Sequence, residues 1–179
     1  DGSIACNDDV ATEVFNPRVA IDAPQPGRYA IFAGIYDPSV PPATSVLVVT
    51  GRALDPTTCS IALPQLEDAA SADAATSPGS LTPDTGPDTV ELVAADLPAT
   101  AAVTGGGDVS VFEEALGNAL CTGFASAAPA YRFALDTTDE PIDSLVLFFE
   151  ADVDTTMIVQ DPNGAFQCVD DNADYTNLN

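Results

Sequence analysis

The chain is predicted to be all-β, built of antiparallel β-sandwich repeat modules of jelly-roll or immunoglobulin-like type with an extended Ala/Thr/Pro-rich connection. Three observations predict this. Short apolar runs alternating with period two occur towards both ends, bounded by turn clusters. The middle of the chain is poor in large apolar residues. The end of the sequence also repeats its beginning. Gly164 precedes Cys168 by four residues and Asp170-Asp171 follows after one more, as Gly2 precedes Cys6 with Asp8-Asp9 behind it, an offset of 162 residues. Asn179 falls opposite Asn16 once one residue is inserted. Repetition at a fixed spacing marks tandem modules. The expected organisation is the C-terminal half of one module in 1–52, a connection in 53–128 and the N-terminal half of the next module in 129–179.

Along the first part, Pro17–Asp22 reads as a short strand stopped by the turn cluster Ala23-Pro24-Gln25-Pro26-Gly27. Arg28–Tyr36 alternates with Tyr29, Ile31, Ala33 and Ile35 on one face and Ala30, Phe32, Gly34 and Tyr36 on the other. Both faces are largely apolar, which suits a central strand of a sandwich. Ser45–Thr50 is β-branched and forms the next strand.

From Glu67 to Thr104 the chain is mostly Ala, Ser, Thr, Asp, Pro and Gly, too poor in large side chains to hold a core of its own. One short strand is expected at Thr89–Val93. Gly105-Gly106-Gly107 reads as a flexible stop. Asp108 as N-cap and a stripe of Val109, Phe112, Leu116 and Leu120 predict a brief helix. β patterning then returns at Tyr131–Leu135, Ser144–Phe149 and Thr155–Gln160. The last of these leads through Asp161-Pro162-Asn163-Gly164 into a hairpin completed by Ala165–Cys168.

Lys+Arg is 4, Asp+Glu is 28 and His is 0, for a net charge of −24. Nucleic acid and anionic membrane surfaces are poor partners for such a chain, because both are bound through Lys and Arg. No apolar run approaches the roughly 20 residues that span a bilayer, so membrane insertion is not expected. The acidity fits a salty or calcium-containing exterior, where cations screen self-repulsion.

The four cysteines, Cys6, Cys59, Cys121 and Cys168, form no CxxC pair, and without His a zinc site is disfavoured. Disulfides in an oxidising, secreted setting are the expectation. Three pairings are open, of which Cys6–Cys59 with Cys121–Cys168 is the most economical.

Asp161, Asn163, Asp170 and Asp171 cluster around one predicted hairpin, and Asp1, Asp8 and Asp9 recur in the other copy. Their oxygens suit calcium, a hard cation. The same residue types also build turns through side-chain-to-backbone hydrogen bonds.

These parts, in this order, resemble the bacterial pre-peptidase C-terminal domain family. The residues that carry the resemblance are the strand ending in Asp136-Thr137-Thr138-Asp139, the apolar strand before Asp152-Val153-Asp154-Thr155, the Asp161-Pro162-Asn163-Gly164 hairpin and the Asp170-Asp171 loop. Asn16-Pro17, Pro26-Gly27-Arg28-Tyr29 and Gly34-Ile35-Tyr36 supply the sequel. The resemblance covers 1–52 and 129–179, with the two halves in reversed order. It implies a β-sandwich of the kind appended to secreted proteases and other exported proteins.

Asp84-Thr85-Gly86 matches the aspartic-protease triplet, but that chemistry needs a second copy to share a proton, and the sequence has no other Asp-Thr-Gly or Asp-Ser-Gly. Serine and cysteine triads lack their usual histidine base. The expected function is therefore non-catalytic: a building block of an extracellular assembly, whose partners are copies of itself or adjacent repeats. The rival expectation is a calcium-dependent module that binds polysaccharide or an extracellular protein.

Overall fold

A computed structural model describes residues 17–51, 81–111 and 122–169, and the fold is an all-β sandwich of two sheets. The strands are β1 (Arg18–Asp22), β2 (Gly27–Ile35), β3 (Ala43–Thr50), β4 (Val90–Val93), β5 (Ala99–Gly105), β6 (Val109–Ser110), β7 (Phe124–Ala125), β8 (Tyr131–Asp136), β9 (Ser144–Glu150), β10 (Thr155–Gln160) and β11 (Phe166–Val169). A 3-10 turn at Ala94–Asp96 follows β4. The smaller sheet runs β1-β9-β3-β5. The larger runs β11-β10-β2, after which β2 is flanked by β8 along its first half and β7 along its second, with β4 outside β8 and β6 outside β7.

Burial follows the alternation read in the sequence. Tyr29, Ile31 and Ala33 of β2 meet Leu145, Leu147 and Phe149 of β9, Leu47 and Val49 of β3, and Met157 and Val159 of β10 in the core between the sheets. The opposite face of β2 presents Ala30 and Phe32 to a smaller cluster with Ile158, Val111 and Ala125, against which Phe166 and Cys168 of β11 pack. β2 is thus buried on both faces, and each large apolar side chain so buried contributes about 1.5–3 kcal/mol.

Three elements differ from expectation. Val109–Ser110 pairs as a strand with Phe124–Ala125, and helical backbone begins only at Val111; the rest of the expected helix, up to residue 120, lies outside the described residues. Val111 is completely buried beside the larger sheet. The span 53–128 is expected to be a connection with one short strand at Thr89–Val93; its described part contributes that strand as β4 and three more, β5, β6 and β7. β5 pairs with β3 over seven positions, Ala43↔Gly105 to Val49↔Ala99, although its small residues gave no apolar signal. Finally, β4 runs parallel to β8, from Val90↔Phe133 to Val93↔Asp136, so the larger sheet is mixed rather than purely antiparallel.

The glycine triplet after β5 is a tight crossing between sheets. The Gly106 amide donates to the Ala33 carbonyl. At Gly107, with φ of 157°, an added Cβ would stand 2.4 Å from the Ala125 backbone. Only glycine allows so close a backbone approach.

Candidate functional site: interleaved strands and their surface turns

Residues 17–51 supply β1, β2 and β3, and none of these pairs with another. β1 pairs with β9. β2 pairs with β10, β7 and β8. β3 pairs with β5 and β9. Every ladder partner of the segment therefore lies between Ala99 and Gln160. The converse also holds among the described residues. With β1–β3 removed, the strands of 81–169 retain only three two-stranded pairs, β10–β11, β4–β8 and β6–β7, while β5 and β9 keep no neighbour. A two-stranded unit is marginal in water, so neither stretch holds a stable sheet by itself.

Side chains reinforce this mutual dependence. Tyr29 stacks on Phe133, and its hydroxyl donates to the Gln25 carbonyl at 2.8 Å. Burial, and then the nearby Asp161 carboxylate, push the Tyr29 hydroxyl above the usual phenol range, partly offset by that hydrogen bond. Burial likewise raises Tyr131. Gly27, at φ 130°, lies so close to the β10–β11 turn that an added Cβ would stand 2.9 Å from Pro162 Cβ.

The proposed calcium hairpin is a turn closed by its own aspartate. Asp161 Oδ1 accepts the amides of Asn163 at 2.9 Å and Ala165 at 2.8 Å, while Asn163 Nδ2 stands 3.5 Å from Oδ2. The Gly164 amide donates to the Asp161 carbonyl, and Gly164 takes φ 84°. Asp1, Asp8, Asp9, Asp170 and Asp171 lie outside the described residues, as do Cys6, Cys59 and Cys121. Among the described residues no group of three or more metal-ligating side chains converges. Cys168, on β11, is disulfide-bonded.

The Asp84-Thr85-Gly86 triplet is a surface turn docked on β8. Arg132 Nε donates to the Pro87 carbonyl at 2.7 Å and Nη1 to the Asp84 carbonyl at 3.1 Å. The Thr82 amide and hydroxyl both donate to the Ala127 carbonyl, and Thr85 Oγ1 closes back on the Thr82 carbonyl at 2.8 Å. The Asp84 carboxylate is 88% exposed and stands 3.9 Å from Arg28. Water and an arginine surround it, where a shared-proton aspartate pair needs a second buried carboxylate.

At the far end of β2 a shallow groove of about 420 Å³ is lined by Tyr36, Asp37, Ser110, Thr122 and Phe124, among others. The Tyr36 ring is 54% exposed. Sequence reading assigned Tyr36 to a strand face and missed it as a surface group. The signal was available in Asp37-Pro38, a turn pair directly after Tyr36, and β2 ends at Ile35. Comparison with family models, curated proteins and solved structures finds no match for this chain.

Proposed function

We propose that the protein is a non-catalytic β-sandwich module serving as a structural building block of an extracellular or cell-surface assembly. One observation carries this reading: β1, β2 and β3 find all their ladder partners outside their own segment. A module made by completing one stretch of chain with another joins its parts through many main-chain hydrogen bonds, the mode that also links repeats or subunits. The resemblance of 1–52 and 129–179 to pre-peptidase C-terminal modules, the −24 charge and the oxidised Cys168 support an exported setting. Light scattering and electron microscopy of the full chain over a concentration series test the reading. Ordered oligomers or fibres are expected, and a monomer at every concentration overturns it.

A second reading, a polysaccharide-binding module, draws on the Tyr36 groove. A half-exposed ring stacks on the apolar face of a sugar, and Asp37, Ser110 and Thr122 stand beside it to bond hydroxyls. Calcium belongs to this reading through the acidic loops. Affinity electrophoresis in soluble polysaccharides, with calcium or chelator, tests it: retardation abolished by Tyr36→Ala would favour this reading over the first.

A further inference from the structure

We propose that the Tyr36 groove takes a sugar bearing a free amine, a hexosamine whose apolar ring face stacks on Tyr36 and whose ammonium pairs with the Asp37 carboxylate. This rests on the polysaccharide-binding reading above and names the class of sugar.

The argument begins with how the groove is built. β2 ends at Ile35, and the Tyr36 amide donates to the Asp154 carbonyl at 3.3 Å, so the ring leaves the sheet on an anchored backbone. Along the rest of the lining, Phe124 of β7 is registered against Ile35, and Ser110 of β6 against Phe124. The Thr122 carbonyl accepts the Thr156 hydroxyl at 2.6 Å. Gly123, at φ 126°, lies so close to β2 that an added Cβ would stand 2.8 Å from the Ile35 carbonyl oxygen. The lining is thus tied to the larger sheet at several points, and a site so preorganised loses little freedom on binding.

The chemistry of the lining is one-sided. Tyr36 is exposed and Phe124 half-buried, so aromatic surface faces the groove and suits the CH face of a pyranose. Among the described lining residues Asp37 alone carries a charge. The Ser39 hydroxyl, and then its amide at 2.8 Å, bond the Asp37 carboxylate and hold its pKa below the usual aspartate range, which keeps it ionised. A carboxylate offers about four lone-pair positions, so these two bonds leave it able to accept from a ligand. Arg28 lies at the start of β2, and Arg132 is registered on Ala30. At about 3.3 Å per residue both stand roughly 20–25 Å along the strand from Tyr36, well beyond a Debye length of roughly 8 Å at physiological salt.

Charge then chooses among sugars. A uronate would set its carboxylate against Asp37 in a chain of net charge −24, with no arginine near enough to offset the repulsion. A neutral sugar gains stacking and hydroxyl bonds alone. A protonated hexosamine adds a charge-assisted hydrogen bond to Asp37 and attraction between its ammonium and the ring face. Tyr36 and Asp37 are consecutive in the chain, so a single sugar ring reaches both.

Calorimetric titration of the full chain tests this with four short soluble probes of similar length, at physiological salt. They are a hexosamine oligomer with free amines, its N-acetylated counterpart, a glucose oligomer and a lysine oligopeptide. The variants are Tyr36→Ala, Tyr36→Phe and Asp37→Asn. Asp139→Asn serves as control, an exposed acid beyond the end of β8 that pairs with the start of β2. Circular dichroism melts establish that each variant is folded.

The free-amine oligomer should bind at least tenfold more tightly than the N-acetylated and glucose oligomers. Tyr36→Ala should weaken it at least tenfold, and Tyr36→Phe should restore most of the loss. Asp37→Asn should erase the preference for the amine, while Asp139→Asn leaves binding and preference unchanged. If the N-acetylated or glucose oligomer binds as tightly and still depends on Tyr36, the polysaccharide reading stands and amine selection fails. If the lysine peptide matches the amine sugar at the same two residues, the groove is a general ammonium site and the sugar assignment fails. Amine binding that survives both Tyr36→Ala and Asp37→Asn would belong to the acidic surface as a whole and overturn the proposal. If no sugar binds, the polysaccharide reading fails with it.

Discussion

The rings of Tyr29 and Phe133 lie face to face across the β2–β8 pair, 5.0 Å apart with planes 9° from parallel, and so tie the first segment of the chain to the last. Both are essentially inaccessible to water. Truncating Phe133→Ala should cost about 3–5 kcal/mol, and Tyr29→Phe about 1 kcal/mol through loss of the hydroxyl bond to Gln25. A double-mutant cycle with Tyr29→Ala should return a coupling of about 0.5–1.5 kcal/mol. Denaturant melts of the four proteins measure it, and a coupling indistinguishable from zero would show that the two rings merely share a core.

Tyr29 also couples stability to alkaline pH. Its folded pKa is raised above the unfolded value, so the stability it contributes is complete below the ordinary phenol range near 10 and is lost as pH rises through the folded value. Tyr131 acts in the same direction. Tyrosinate absorbance should therefore appear for these two rings together with loss of β-sheet circular dichroism, and Tyr29→Phe should make the alkaline fall in stability shallower. Ionisation of both rings with the fold intact would contradict this.

How far the fold was legible depended on where the apolar bulk sits. β2, β9 and β10 are central strands whose inward faces are Tyr, Ile, Leu, Phe, Met and Val, and their alternation located them to within a residue or two. β5 borrows its burial from Leu47 and Val49 of its neighbour and brings only Val103 of its own to the core, so nothing in Ala99–Gly105 announced a strand. β6 and β7 are two residues each and exist because β2 needs a partner beyond Ala33. The interleaving of residues 17–51 with the later strands was not readable, since pairing partners far apart in sequence leave no local periodicity.

The Asp161 hairpin separates turn chemistry from metal binding. An asparagine side chain still offers one oxygen to the amides of Asn163 and Ala165, so Asp161→Asn should change stability by less than about 0.5 kcal/mol. Asp161→Ala should cost about 1–2 kcal/mol by orphaning both amides. A calcium ligand would behave otherwise: Asp161→Asn would erase a calcium-dependent rise in melting temperature measured at matched ionic strength.

Arg132 holds the 81–87 loop through two backbone carbonyls rather than through a carboxylate. Arg132→Ala should leave the core transitions nearly unchanged while amide exchange and proteolysis at Thr82–Gly86 accelerate at least tenfold. Lysine, a single point donor, cannot reproduce the fork, so Arg132→Lys should restore only part of the protection. Equal protection in wild type and Arg132→Ala would place the anchor instead on Thr82 and its bonds to Ala127.

Acid pH sets two effects of opposite sign against each other. Protonating carboxylates in a chain of net charge −24 relieves self-repulsion, which stabilises the fold as pH falls from 7 towards the carboxylate range, most at low salt. Asp37 and Asp136 oppose this. Each carboxylate accepts a side-chain hydroxyl bond first and a backbone amide bond second, from Ser39 and Thr138 respectively, and both folded pKa values are lowered. Their contribution is present above the unfolded value of 3.8 and disappears as pH falls through the lower folded value. Stability should therefore rise on mild acidification, pass through a maximum and fall below the ordinary aspartate range. In the Asp37→Asn, Asp136→Asn double variant the maximum should flatten, and the gap to wild type should be present at pH 7 and vanish at the acid end. Salt should lower the gain on mild acidification while leaving that gap in place, because contacts within a hydrogen-bonded turn lie well inside a Debye length of roughly 10 Å at 0.1 M. Melting curves from pH 2 to 8 at two ionic strengths separate the two effects, and a gap that persists unchanged at pH 2 would remove the turn aspartates from the account.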